Sequence, residues 1–190
     1  GPCQSDIHYM LSPLTRLGEL ERLIAQRSYF VIHAPRQTGK TTLVLSLAQE
    51  LTASGKYAAV MLSVEVGAVF PTQPGKAEGA ILDAWRGASK FRLPPELNPP
   101  DWPAVESGRR IGAALQAWTA SLDVPLVVFI DEIDALQDEA LISVLRQLRD
   151  GYPNRPQGFP QSVGLVGLRD VRDYKVASGG SDRLNTSSPF

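Results

Sequence analysis

Two stretches of this chain carry side chains whose types and spacing could do chemistry. In the first, Gly39-Lys40-Thr41 follows the apolar run Phe30-Val31-Ile32 and precedes Leu43-Val44-Leu45-Ser46-Leu47-Ala48. A buried strand, a tight loop and a helix start, in that order, form a cradle for phosphate. Successive backbone N–H groups curl round the oxygens, and the helix N-terminus adds its partial positive charge. Gly39 lets the backbone approach without a Cβ in the way. Lys40 would reach the β- and γ-phosphates of a nucleotide, and the Thr41 hydroxyl would hold Mg²⁺. One position departs from the loop pattern G-x-x-x-x-G-K-[ST], which has Gly where this chain has Ala34. Ala is the smallest departure from Gly and is tolerated where φ is negative. The bland alternative is a chance strand–turn–helix, and the flanking apolar runs weigh against it.

The second stretch is Leu126-Val127-Val128-Phe129-Ile130-Asp131-Glu132-Ile133-Asp134. If the apolar run is a central strand, Asp131 and Glu132 stand at its carboxyl end, the edge where open α/β sheets bind ligands. Asp131 could bind Mg²⁺, directly or through water, alongside Thr41. Glu132 could polarise an attacking water as a general base. Adjacent carboxylates repel, so a cation beside them is physically reasonable. A strand end merely capped by charge is the alternative, and the phosphate loop upstream favours the chemical reading. Asp134 is read either as part of this cluster or as a cap for the next helix.

The elements that must position these clusters follow from periodicity. Leu17, Leu20, Leu23 and Ile24 share one helical face, with Ser12 and Thr15 as candidate N-caps. That helix could floor an adenine pocket or simply cover the sheet. A helix from Lys40 should stop at Gly55. Residues 57–64 form a near-continuous apolar strand suited to a parallel sheet covered on both faces, with Glu65 at its end, read as a metal-shell contact or a solvated cap. A helix over 77–88 carries Ile81, Leu82 and Trp85. A Pro-rich connector follows, with Pro94-Pro95, Pro99-Pro100 and Pro103; it cannot be regular helix or strand, and it is read as a lid or partner-binding loop or, in preference, as a structural connector whose Phe91 and Trp102 pack on the body. Helices over 104–122, with Trp118 in the core, and over 138–151 come next, and a fourth strand covers 162–168. Arg146 and Arg149 fall on the exposed face of the second of these helices and could act in trans in an oligomer. Arg169 and Arg172, beyond the fourth strand, could stabilise charge on a γ-phosphate or form local pairs with Asp170 and Asp173.

Bulk properties narrow the class. The 190 residues suit one domain with a sizeable core. Lys plus Arg number 19 against 20 Asp plus Glu, a net charge of -1, so bulk charge gives no support for a nucleic-acid surface. The single cysteine, Cys3, can form no internal disulfide, which fits a reducing, cytoplasmic compartment. No apolar run is long enough to span a bilayer. The chain begins Gly1-Pro2 without Met, and its tail from Ala177 is rich in Ser and Gly. That start is read as a processed chain or a fragment.

Taken together, the two clusters resemble a P-loop ATPase of the additional-strand, catalytic-glutamate type. Ala34-Pro35-Arg36-Gln37-Thr38-Gly39-Lys40-Thr41-Thr42 looks like its Walker A loop, and Val127-Val128-Phe129-Ile130-Asp131-Glu132 like its Walker B strand. More narrowly, the chain is similar to prokaryotic AAA-like, archaeal-type ATPases allied to AAA+ and STAND proteins. The resemblance implies a three-layer α/β/α P-loop fold with a parallel sheet in the order 5-1-4-3-2, the fifth strand and helical lid absent or barely begun by Phe190, and hence that residues 1–190 form the N-terminal nucleotide-binding domain of a longer protein. It implies ATP and Mg²⁺ as cofactors, the loop from Ala34 to Thr42 as the phosphate cradle with Thr42 at the α-phosphate, and Thr41 with Asp131 as metal ligands. Glu132 would activate water, with Lys40 and, at the sensor position, Arg169 or Arg172 in support. The usual Asn, Ser or Thr is missing from that sensor position. The implied activity is ATP hydrolysis coupled to conformational change, with nucleotide, a homo-oligomer and an unidentified protein as partners. Its rivals are a slow nucleotide-gated switch of STAND type, a small-molecule kinase and a non-catalytic interaction domain. Basal rate, phosphate release without an acceptor, and nucleotide binding respectively separate them.

Overall fold

A computed structural model describes residues 13–33 and 39–167. Four strands, β1 (Phe30–His33), β2 (Ala58–Ser63), β3 (Leu126–Asp131) and β4 (Ser162–Gly167), form one parallel sheet in the order β1-β4-β3-β2. This is the expected order over the strands described. The fifth strand, the lid and the sensor residues expected beyond Gly167 lie outside the described residues.

Among the described residues five helices cover the sheet: α1 (Pro13–Ala25), α2 (Lys40–Ala53), α3 (Pro74–Arg92), α4 (Arg110–Ala120) and α5 (Asp138–Gly151). Alternation along each strand divides the core into two layers. Val127 and Phe129 of β3 pack with Leu20, Ile24, Val44 and Leu47 of α1 and α2. Val128 and Ile130 pack with Trp85, Leu115, Trp118 and Leu148 of α3, α4 and α5. Both faces are buried, which is why the strands read as continuous apolar runs. Gly164 lies between Phe30 and Phe129 in register on the neighbouring strands. Their rings meet over it with centroids 6.3 Å apart, so the missing side chain is what lets them approach.

Helix ends follow local chemistry. Gly39, at φ 74°, is the N-cap of α2, and Gly55, at φ 71°, takes the left-handed turn just past its end. Helix α3 is longer than expected. It starts at Pro74, whose fixed φ suits a first helical position, and ends at Leu93, which the following Pro94 holds extended at ψ 151°. Helix α4 is shorter than expected, beginning at Arg110 rather than 104. Gly108, at φ 84°, breaks the chain there, and its N–H goes to the buried Glu78 carboxylate on α3 at 2.8 Å. Within the first turn of α4, the orphan Gly112 N–H is capped from α5 by Gln147 Oε1 at 2.9 Å. Gln147 Nε2 and Ser143 Oγ in turn donate to Glu78 Oε1. One buried polar network thus pins the three outer helices together.

Trp118 is fully buried and donates to the Leu97 carbonyl. In the connector, Trp102 packs edge-on against Trp118 and donates to the Leu82 carbonyl, as expected. Phe91 departs from expectation. It lies in the last turn of α3 and is 92% exposed, because the helix continues past 88 and turns it outward. Thr15 is inside α1, not at its cap, and Ser12 lies outside the described residues. Among the described residues no helix is long and apolar enough to cross a membrane.

Candidate functional site at the carboxyl edge of the sheet

Two strand ends and one helix start deliver side chains to one point. Strand β3 ends in Asp131, which is 9% exposed, and Glu132 follows at φ 60° and ψ 33°. A left-handed glutamate is uncommon and costs backbone energy, the kind of strain that clusters at functional sites. It breaks the strand at once and turns the two carboxylates in different directions. Asp131 Oδ2 accepts from Thr41 Oγ1 of α2 at 3.2 Å, and Asp131 Oδ1 accepts from the Glu132 N–H at 2.9 Å. Glu132 Oε2 accepts from Ser63 Oγ, at the end of β2, at 2.6 Å.

Burial pushes the Asp131 carboxyl above its ordinary range. The hydrogen bonds from Glu132 N–H and Thr41 oppose that shift, the Glu132 charge adds to it, and the Lys40 ammonium draws it back. Among the described residues the site therefore sets two carboxylates against the Lys40 ammonium. Added positive charge would relieve it. No cluster of three His, Cys, Asp or Glu side chains is present among the described residues. The donor set suits an ion that takes one or two protein oxygens and completes its shell with phosphate and water, which is the habit of Mg²⁺. The paired oxygens of Thr41 and Asp131 fit that role.

The structure thus brings together Lys40, Thr41, Asp131 and Glu132 from the two sequence clusters. Thr41 and Thr42 are exposed at the start of α2. Ala34, Pro35, Arg36, Gln37, Thr38, Arg169 and Arg172 lie outside the described residues. Asp134 sits in a short 3₁₀ turn (Ile133–Ala135) and does not cap α5, whose N-cap is Gln137. Glu65 is exposed, and its N–H donates to Ser63 Oγ at 3.1 Å. Arg146 is exposed on α5 as expected, whereas Arg149 is half-buried with its guanidinium 3.8 Å from Asp150.

Ser63 is the residue that sequence reasoning missed. It pairs with Asp131 in the parallel register of β2 and β3, so its hydroxyl falls beside the residue after Asp131. A polar residue ending an apolar strand, next to the acidic strand in the expected sheet order, was the available signal.

A parallel sheet of this order, with a Lys-Thr helix start beneath one strand end and an Asp-Glu pair on another, defines the P-loop nucleoside-triphosphatase class of α/β domain. The family model described as "ATPase family associated with various cellular activities (AAA)" matches residues 30–160, and the chain belongs to that family. Membership implies nucleotide binding and ATPase chemistry in general. Among solved structures, the chain is similar to one in Drosophila ORC bound to poly(dA/dT) DNA and Cdc6 (conformation 1). That match has a TM-score of 0.50 at 13% identity, over 88% of this chain and 26% of the other. A second is Drosophila ORC bound to GC-rich DNA and Cdc6, with a TM-score of 0.50 at 12% identity over 87% and 26%. These likenesses concern the fold, and the chain spans about a quarter of the length of the chains it matches. No curated protein matches the chain.

Proposed function

We propose that this domain binds ATP with Mg²⁺ and hydrolyses it to drive a conformational change. The observation that carries the reading is the convergence of Thr41, Asp131, Glu132 and Ser63 on the carboxyl edge of the sheet, beside Lys40. Lys40 and the backbone N–H groups of the loop from Ala34 to Thr38 bind the β- and γ-phosphates, and Thr42 touches the α-phosphate. Thr41 and Asp131 would hold Mg²⁺, which when bound supplies positive charge to the phosphate oxygens. Glu132 orients the attacking water and accepts its proton, one carboxylate oxygen being fixed by Ser63 and the other left for the water. Arg169 and Arg172 are candidates for countering charge on the γ-phosphate. A second copy of the chain or another protein partner would use the resulting movement.

The test is calorimetric titration of Mg-ATP and Mg-ADP, followed by phosphate release under excess enzyme. Lys40→Ala should lose nucleotide binding. Glu132→Gln should keep binding and lose hydrolysis. A Glu132→Gln variant that hydrolyses ATP at the wild-type rate would remove the assigned base.

A further inference from the structure

We propose that Trp85, on α3, is a positioning residue for Glu132, acting through Ser63. The inference rests on the role just given to Glu132 and extends it to a side chain outside the site. Among the described residues strand β2 is at the edge of the sheet, so one row of its backbone groups has no strand partner there. At its last residue both sides are nevertheless tied. On the inner side, the Val64 N–H donates to the Asp131 carbonyl at 3.2 Å. On the outer side, the Trp85 indole Nε1–H donates to the Ser63 carbonyl at 2.9 Å. The peptide unit that carries Ser63 is therefore clamped between β3 and α3. Its hydroxyl points from that clamp to Glu132 Oε2 at 2.6 Å.

Each link has a physical reason to be stiff. Trp85 is 1% exposed and packed in the core layer that holds Leu62, Val64 and Ile81, so the indole cannot swing away. Its N–H needs a partner in that setting, and an otherwise unpaired edge carbonyl supplies one. One residue pair further back, Arg92 Nη1 donates to the Met61 carbonyl, so α3 holds the edge of β2 at two points. The Glu132 backbone N–H is tied to Asp131 Oδ1, while its carboxylate is held by the Ser63 hydroxyl. Glu132 stands in a strained left-handed conformation at the head of a 3₁₀ turn, half-exposed, and Ser63 supplies the side-chain hydrogen bond on its carboxylate. Without the indole bond, the end of β2 can shift along its free side, and the hydroxyl shifts with it. A displacement of a few tenths of an ångström is enough to weaken a bond of that length.

The experiment measures kcat and KM for Mg-ATP on the full chain, as wild type, Trp85→Phe, Ser63→Ala, the double variant and Glu132→Gln. Phe keeps the ring and removes the donor. Trp85→Phe should lower kcat about three- to tenfold with KM changed less than about twofold, because loosened positioning touches the reacting water and not the phosphate cradle. In the Ser63→Ala background the same change should have no further effect on kcat, the mark of action through Ser63. A purely structural role would instead add a similar loss in both backgrounds, and that result overturns the inference. Wild-type kcat in Trp85→Phe also overturns it while leaving the Glu132 assignment standing, provided Glu132→Gln is slow. Wild-type turnover by Glu132→Gln, or no turnover by the wild-type chain, overturns the proposed hydrolysis and this inference with it. Exchange of the Trp85 indole proton in the wild-type chain, read by NMR, tests the bond without any variant. Protection is expected, and exchange at the rate of a free indole would overturn the clamp.

Discussion

Removing the Ser63 hydroxyl should separate the stability of the site from its chemistry. In Ser63→Ala the Glu132 carboxylate loses its 2.6 Å donor, and the Glu65 N–H loses its acceptor. Both losers reach water, since Glu65 is exposed and Glu132 half-exposed. The stability cost should therefore fall near the net value of one hydrogen bond, about 1 kcal/mol, and not near that of an orphaned buried charge. For a domain of this size that lowers Tm by roughly 2–4 °C. The kinetic cost should be larger in proportion. A carboxylate free to rotate samples several orientations, and kcat should fall about tenfold, equivalent to about 1.4 kcal/mol on the barrier, with KM little changed. Ser63→Thr keeps a hydroxyl on a residue that suits a strand and should recover most of the rate. The assay is phosphate release at saturating Mg-ATP, with thermal melts on the same samples. A Ser63→Ala variant that turns over faster than wild type would refute the reasoning. It would mean that the bond restrains Glu132 and does not aim it.

Other consequences follow from the same contacts. Gln147→Ala strips the cap from the Gly112 N–H and a donor from Glu78, both inside the helical layer. It should cost about 2–3 kcal/mol in chemical denaturation, and a loss under 1 kcal/mol would discount the network. A Cβ on Gly164 would lie 2.8 Å from Phe30 Cε2 and 2.9 Å from Phe129 Cδ1, so Gly164→Ala should destabilise by about 1–3 kcal/mol, read from the same denaturation curves. The Asp131 carboxyl titrates above its unfolded value, so the folded state binds the proton more tightly than the unfolded chain does. Its contribution therefore makes the nucleotide-free domain less stable as pH rises from the unfolded value through that raised pKa, and the penalty is complete only above it. Asp131→Asn should accordingly raise Tm at neutral pH and narrow the gap from wild type under acid, while abolishing any Mg²⁺ dependence of nucleotide binding. A lower Tm at neutral pH would show that the carboxylate is not under strain there.

Much of the fold was legible because its signals are local. Phe30-Val31-Ile32 and Leu126 to Ile130 read as buried parallel strands because both faces of the sheet are covered, leaving no polar alternation. Gly39 and Gly55 marked the ends of α2 because a left-handed turn needs no partner elsewhere in the chain. The pairing of Thr41 with Asp131, 90 residues apart, could be expected from motif order alone. The start of α4 could not. The Gly108 N–H just before it goes to Glu78 of α3 and its own Gly112 N–H to Gln147 of α5, so the break at Gly108 answers to residues distant in sequence. Phe91 was misjudged for a related reason: the length of α3, set by Pro74 and Pro94, decides which way that ring turns.

By itself, then, the sequence determined the kinds of element, the phosphate-loop and acidic-strand motifs, and the family they resemble. Each of these is written in contiguous residues whose propensities and spacing act over one turn or one strand. Only the tertiary structure decided that Ser63 reaches Glu132, that Trp85 fastens Ser63, and that Glu78 anchors α4. Those contacts depend on the register of β2 against β3 and on the packing of α3 along the β2 edge. Register and packing are settled by the whole core at once, because shifting a strand by one residue turns every side chain to the opposite face.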